Sequence, residues 1–231
     1  IVTDASQAMT GQDIEQLSDE QLIEAVNKCS IFARVQPEHK TRIVKALKNH
    51  HFDAYYADTK EDAVKKLLEL IPSDHVVGWG GSISLKECGA IEAVRTHYSC
   101  LDRDSVTTPE EKAEIMRRAL TCDTFLMSSN AISEDGQLVN IDGTGNRVAA
   151  LVFGPKSVIV IAGMNKVVKS VEDAIHRAQS IVAPANVQRF YDYLTPCYAD
   201  GTCHNCFTEP CICAHIVNTR ISRPANRIKV I

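Results

Sequence analysis

"HVVGWGGSISLKECGAIEAVRTHYSCLD", His75 to Asp102, places a strand, a glycine turn, a helix and a second strand in one short run. The apolar stretch "HVVGWG" ends in glycines, "ISLKECGAIEAVRTH" continues as a helix, and "YSCLD" returns to strand. The alternation extends both ways. Upstream, "FDAYYA" reads as a strand and Thr59-Lys-Glu-Asp62 caps a helix to about Leu70. Downstream, Thr108-Pro109-Glu-Glu111 opens a helix, "TFLMSS" and "SVIVIAG" are compact strands, and Ser170–Val182 is a capped helix. Strands alternating with amphipathic helices predict an α/β sandwich around a mostly parallel sheet. Between the last two strands, "EDGQLVNIDGTGNRVAALVFG" carries Asp-Gly turn signals and β-rich runs, so it reads as a hairpin excursion.

Residues 1–50 have a different texture. Ser18-Asp-Glu-Gln21 has the form of a capping box, and Leu22, Ile23 and Val26, then Ile43, Val44 and Leu47, supply apolar faces at helical spacing. Pro37 suits the first turn of the second helix. Two helices joined by "SIFARV" bury too little to fold alone.

The chain has 231 residues, 45% of them apolar and 23% charged, which suits a globular protein with a sizeable core. A formal charge of −4 argues against broad nucleic-acid binding. The longest apolar runs are too short to cross a bilayer, and no signal peptide is visible. The start without Met reads as processed or truncated, and a cytoplasmic location is expected.

Three loops could bind a ligand. Gly78-Trp79-Gly80-Gly81-Ser82 follows a strand and precedes a helix, where backbone can approach an anion closely. A plain tight turn is the competing reading, and the GxGxxG fingerprint is not present in it. Asp142-Gly143-Thr144-Gly145-Asn146-Arg147 offers side-chain donors and a fixed positive charge for a phosphate or carboxylate. A hairpin with a surface arginine would look the same. Ser128-Ser129-Asn130 adds polar groups at a strand end, where α/β sheets keep their ligands. Spacing alone nominates no general base and assembles no Ser-His-Asp or Cys-His set.

Nine cysteines are many for such a chain. Cys29, Cys88, Cys100 and Cys122 are scattered, whereas Cys197, Cys203, Cys206, Cys211 and Cys213 crowd into "TPCYADGTCHNCFTEPCICAH". That crowding favours metal over disulfides, and thiolates suit zinc and iron–sulfur clusters alike. Cys203 and Cys206 as a redox pair is the alternative, and His204 and His215 are further possible ligands.

Two resemblances divide the chain. "AMTGQDIEQLSDEQLIEAV" and "CSIFARVQPEHKTRIVKAL" resemble part of the phosphorylation domain of P-type cation-transporting ATPases. In that family the lysine matching Lys40 helps neutralise a phosphorylated aspartate. The chain has neither the "DKTGT" nor the "TGDGVND" motif of the family, so the segment reads as a relic or fused fragment.

From about residue 48 to 231 the chain resembles the lactate-utilization (LUD) family. The matching pieces are "FDAYYADTKEDAV", "VGWGGSISL", "SSNAISEDGQLVNIDGTGNRVAALVFGPKSVIVIAGMNKVV" and "TPCYADGTCHNC". The resemblance implies a Rossmann-like fold of the sugar-phosphate isomerase and CoA transferase type. It also implies a link to oxidation of lactate to pyruvate alongside redox partner proteins carrying iron–sulfur clusters. Carried over by position, it nominates Gly78, Gly80, Gly81, Ser82, Asn130, Glu134, Asp142, Gly143, Gly145, Asn146 and Arg147 for an anionic ligand. It nominates Cys197, Cys203, Cys206 and Cys213 for a metal or cluster, with Cys211 an extra thiol.

The expected organisation is a helical segment 1–47 attached to a domain 48–231 that includes the cysteine-rich stretch 195–215. "HKTRIVKALKNH" is amphipathic and basic, and could stand in for the first helix of the LUD domain. Rival readings are a transferase or isomerase of phosphorylated or CoA-linked substrates with structural zinc, and a non-enzymatic accessory subunit of a redox complex.

Overall fold

The computed structural model describes residues 8–10, 31–33, 37–190 and 194–231. Residues 1–42 and 43–231 form two compact units. In the first, β1 (Ala8–Thr10) and β2 (Ile31–Ala33) pair in parallel. The capping box expected at Ser18–Gln21 lies outside the described residues. Helix α1 (Pro37–Asn49) starts at the proline that favours a helix start.

The second unit is built on six parallel strands. These are β3 (Asp53–Ala54), β4 (Val76–Trp79), β5 (Ser99–Leu101), β6 (Thr124–Met127), β9 (Ser157–Val160) and β12 (Ile228–Val230), in the order β3-β12-β9-β6-β4-β5. From β4 the chain moves outward to the edge strand β5, then returns across β4 to β6 on its other side. The strand order therefore reverses between β4 and β6, and ligands of open α/β sheets bind at such a switch point.

Alternate side chains of the central strands feed two cores, because successive residues face opposite sides of a sheet. Phe125, Met127, Val158 and Val160 pack with Ile43 and Leu47 of α1, Ala119 of α5 (Pro109–Ala119) and Leu151 of α6 (Asn146–Val152). Leu126 and Ile159 face the other way, onto Leu67 of α2 (Lys60–Leu70) and Ile91 and Val94 of α4 (Ala90–His97). Fully buried side chains such as Phe125 and Leu67 each contribute roughly 1.5–3 kcal/mol. The caps read from sequence are formed: Thr59 accepts from the Asp62 amide, and Thr108 and Glu111 complete a capping box.

A smaller sheet has the order β10-β7-β8-β11. Its β7 (Ala131–Ser133) and β8 (Leu138–Asp142) form the expected hairpin, turned at Asp135-Gly136. Gly136 adopts φ 92°, and an added Cβ would lie 2.6 Å from the backbone of Ala46, so only glycine fits there. β10 (Val167–Val168) pairs in parallel with β7, and β11 (His215–Thr219) antiparallel with β8.

Two elements differ from the sequence reading. "NRVAALV" is the helix α6, not a second arm of the hairpin; Val148 and Leu151, three apart, bury on one face as a helix allows. The single helix expected after Ser82 is broken at Cys88-Gly89, where Gly89 turns left-handed at φ 78°. It becomes α3 (Ile83–Glu87) and α4. The capped helix at Ser170 begins as α7 (Val171–Arg177), widens through a π-helical turn Ala178–Val182, and ends as α8 (Ala183–Val187). The cysteine-rich stretch contributes a short helix, α9 (Pro196–Asp200).

Candidate functional site

The loops following β4, β6 and β9 gather around one side chain, Lys166. It sits in a single turn of 3₁₀ helix, Met164–Lys166, just beyond β9. Its Nζ lies 2.8 Å from Ser84 Oγ of α3, 2.7 Å from Ser128 Oγ after β6, and 3.1 Å from the Ser129 carbonyl. Burial is the main cause that lowers its pKa from the ordinary lysine value of 10.5 to about 8, and the charges of Arg177 and Arg147 push in the same direction. Three cations therefore share the switch point.

Arg147 is fixed from below. Asp142, at the end of β8, accepts from Arg147 Nε at 3.0 Å and from the Gly145 amide at 2.9 Å. Both side chains are largely enclosed, at 15% and 7% exposure. Arg147 Nη2 also donates to the Ile141 carbonyl. The aliphatic part of Arg147 lies against Gly80, where a Cβ would come within 2.4 Å of Cγ. Arg177, at the end of α7, donates to the carbonyls of Asn130 and Asn165. Asn130 and Asn140 knit β8 to the loop after β6: Asn130 Oδ1 accepts from the Ile141 amide at 2.8 Å and Asn140 Oδ1 from the Asn130 amide at 3.3 Å. Asn140 Nδ2 is buried with no partner among the described residues.

The nominated residues divide accordingly. Gly80, Asp142, Gly145, Asn146 and Arg147 lie together, and Asn130 joins them through Arg177. Gly81 faces Arg103, whose guanidinium lies 2.9 Å from the position a Cβ would take. Ser82 caps α3, accepting from the Leu85 amide at 3.2 Å, which spends its hydroxyl on the fold. Gly78 lies inside β4, and a side chain there would press on Ala119 and Cys122, so packing explains it. Glu134 stands exposed in the hairpin turn, beyond the end of β7 opposite to Asn130. Lys166, Arg177 and Ser84 were not nominated from sequence.

The five clustered cysteines line one cavity of about 400 Å³, together with Thr195, Phe207 and Ile212. Cys197 is buried and within 3.3 Å of Thr195 Oγ1. Burial, followed by the neighbouring Cys211 and more weakly Cys197 and Cys203, pushes the Cys213 thiol up to about 12. The donor set is right for zinc or an iron–sulfur cluster in type and number. As placed, no three His, Cys, Asp or Glu side chains among the described residues are grouped closely enough to hold a metal ion. His204 pairs with Asp200 at 2.8 Å. His215 stacks its ring edge against Gly145, and Gly143 lets the backbone of Ile212 come within 3.1 Å of where a Cβ would be. The thiol stretch thus abuts the loop that carries Arg147.

These elements define a mixed α/β domain with a mostly parallel central sheet and cationic side chains at its switch point. A family model described as LUD domain matches residues 40–231, and the chain belongs to that family, which is associated with lactate utilization. A crystal structure of a DUF162 family protein from Deinococcus radiodurans is similar at 12% identity and TM-score 0.48, covering 86% of this chain and 98% of that one. The eIF2B-β2-δ2 complex from C. thermophilum gives 14% identity and TM-score 0.39, covering 95% of this chain and 75% of that one.

Curated relatives match short stretches. Calcium-transporting ATPase 1 of Lactococcus lactis is 41% identical over 51 residues, 22% of this chain and 6% of that protein. The Bacillus cereus protein of the same name is 30% identical over 132 residues, 56% of this chain and 14% of its own. Magnesium-transporting ATPase, P-type 1 of Escherichia coli K12 is 41% identical over 61 residues, 26% of this chain and 7% of that protein. The chain therefore spans less than a sixth of the length of these relatives. Among the described residues no helix is long and apolar enough to cross a membrane.

Proposed function

We propose that this LUD-domain protein binds a small anionic ligand, a 2-hydroxy or 2-oxo carboxylate, between Lys166, Arg147 and Arg177, and serves the step from lactate to pyruvate. The observation that carries the reading is the convergence of two arginines, Arg147 and Arg177, on Lys166 at the carboxyl ends of the central strands. Like charges held together in a partly buried place are costly unless an anion offsets them. Arg147 and Arg177 are anchored by carbonyls and by Asp142, so they present charge without having to be ordered on binding. Ser84, half-buried, supplies a hydroxyl that can accept from or donate to a ligand oxygen, while the buried Ser128 holds the Lys166 amine.

In the same reading Cys197, Cys203, Cys206 and Cys213, which line one cavity, draw together to hold zinc or an iron–sulfur cluster, with Cys211 as the extra thiol. A cluster would supply one-electron transfer when bound; the chain's own residues orient the acid beside it. In this reading α1 from Ile43 onward belongs to the LUD domain, whose core includes Ile43 and Leu47, and the sequence before it is an ATPase-like attachment. The rival is a transferase or isomerase with structural zinc, favoured by the serine hydroxyls around Lys166, which would suit a phosphate equally well.

The test is thermal stabilisation of the intact chain by lactate, pyruvate or inorganic phosphate, with iron, sulfide and zinc measured on protein purified without oxygen. Stabilisation by the two carboxylates with matching iron and sulfide supports the reading. Stabilisation by phosphate alone, with stoichiometric zinc, supports the transferase rival. No stabilisation by any of the three overturns the anion site.

A further inference from the structure

We propose that Ser84 and Lys166 form a serine–lysine nucleophile pair that accepts the acyl group of a small, negatively charged ester or thioester. This goes beyond the anion-binding reading, since it assigns covalent chemistry to the Lys166 site and requires no cofactor. The arrangement comes from three parts of the chain. Lys166 Nζ is 2.8 Å from Ser84 Oγ, 2.7 Å from Ser128 Oγ and 3.1 Å from the Ser129 carbonyl. A nucleophile and its base must lie within hydrogen-bond reach, and the base must be oriented by a third group. Both conditions are met here.

The two hydroxyls are not equivalent. Ser128 is 4% exposed, and with the Ser129 carbonyl it holds the amine in place as a positioning residue. Ser84 is only half-buried, in the first turn of α3 beside the exposed Ile83, so an incoming carbonyl can reach its oxygen. A lysine acts as a base only when neutral, and the groups facing Lys166 favour that. Burial and the charges of Arg177 on α7 and Arg147 on α6 lower its pKa to about 8, against a smaller opposing effect of Glu87 on α3. The same arginines select an anionic substrate.

The step balances without an oxidant or reductant. Ser84 Oγ bonds to the carbonyl carbon while its proton passes to Lys166 Nζ. The C–O or C–S bond to the leaving group then breaks, and the ammonium returns the proton to the departing alkoxide or thiolate. Water repeats the sequence on the acyl-serine and releases the carboxylic acid.

A fluorophosphonate probe on the intact chain, read by peptide mass mapping, tests this. The expected result is one phosphonyl group on Ser84, absent in Ser84→Ala and slowed about a hundredfold or more in Lys166→Arg, which keeps the charge but loses the base. In the unaltered protein the labelling rate rises as pH passes through about 8, the value set by burial of Lys166. That profile decides the matter even if Lys166→Arg fails to fold. Arg147→Gln separates the two readings: loss of carboxylate binding with Ser84 still labelled leaves the nucleophile standing alone. An unlabelled Ser84, equal labelling in folded Lys166→Arg, or a rate flat across that pH range overturns the proposal, whatever the ligand-binding result.

Discussion

Gly80 and Arg147 share a boundary with no room for another atom: a Cβ on Gly80 would sit 2.4 Å from Arg147 Cγ and 2.6 Å from its Cδ. The glycine loop after β4 therefore sets where the guanidinium can stand. Gly80→Ala displaces Arg147 from Asp142 and lowers stability by about 1–3 kcal/mol, as overpacking typically does. Urea unfolding checks the stability, and a parallel titration with pyruvate shows weaker binding. Unchanged values in both would mean that Arg147 moves aside without consequence.

Asp142 holds the other side of the same arginine. It accepts from Arg147 Nε and from the Gly145 amide, and it is only 7% exposed. Removing one partner of an enclosed ion pair leaves a charge uncompensated, which costs about 3–5 kcal/mol. Asp142→Leu should destabilise by this order, and Asp142→Leu with Arg147→Met by less. A double-mutant cycle in urea measures the difference.

Lys166 predicts a pH dependence with a definite sign. Its native pKa of about 8 lies below the ordinary 10.5, so between those values the unfolded chain binds more protons than the native one. Stability from this group therefore rises with pH across about 8 to 10.5, and below about 8 the buried charge is a constant cost. The difference in unfolding free energy between the unaltered chain and Lys166→Met should change across that window and be flat below it. Anion binding runs the other way, weakening as the ammonium loses its proton above about 8.

The thiol stretch predicts a ligand hierarchy. If Cys197, Cys203, Cys206 and Cys213 hold the metal, changing any one of them to Ser lowers bound iron or zinc severalfold, while Cys211→Ser retains it. All five line the same cavity, so the comparison is made within one environment. Metal content per chain after anaerobic purification is the measurement. Equal loss in all five variants would show that Cys211 is a ligand too.

Much of the scaffold was legible in local patterns. Thr59 and Thr108 were read as caps from residues three apart, and both caps are formed. The Asp135-Gly136 turn was read from a dipeptide and closes β7 on β8. Asp142-Gly143 carries the same dipeptide yet leads into α6, because Gly145 takes a left-handed cap and Val148 and Leu151 bury as a helix. Within the site, Arg147 and the glycines were visible because they lie in one motif. Lys166 was not, since its partners Ser84 and Ser128 lie 82 and 38 residues away in sequence. Only the folding of β4, β6 and β9 side by side joins them. A lysine three residues beyond the strand "SVIVIAG" was the available signal, given that strand ends hold ligands in such sheets.

The most direct measurement is isothermal titration of the intact chain with pyruvate at pH 7, beside Arg147→Gln checked for folding by circular dichroism. The account predicts saturable binding to the unaltered chain and a loss of about tenfold or more in the variant, as expected when a charged hydrogen bond is removed. Equal binding in both, or none in either, would contradict it.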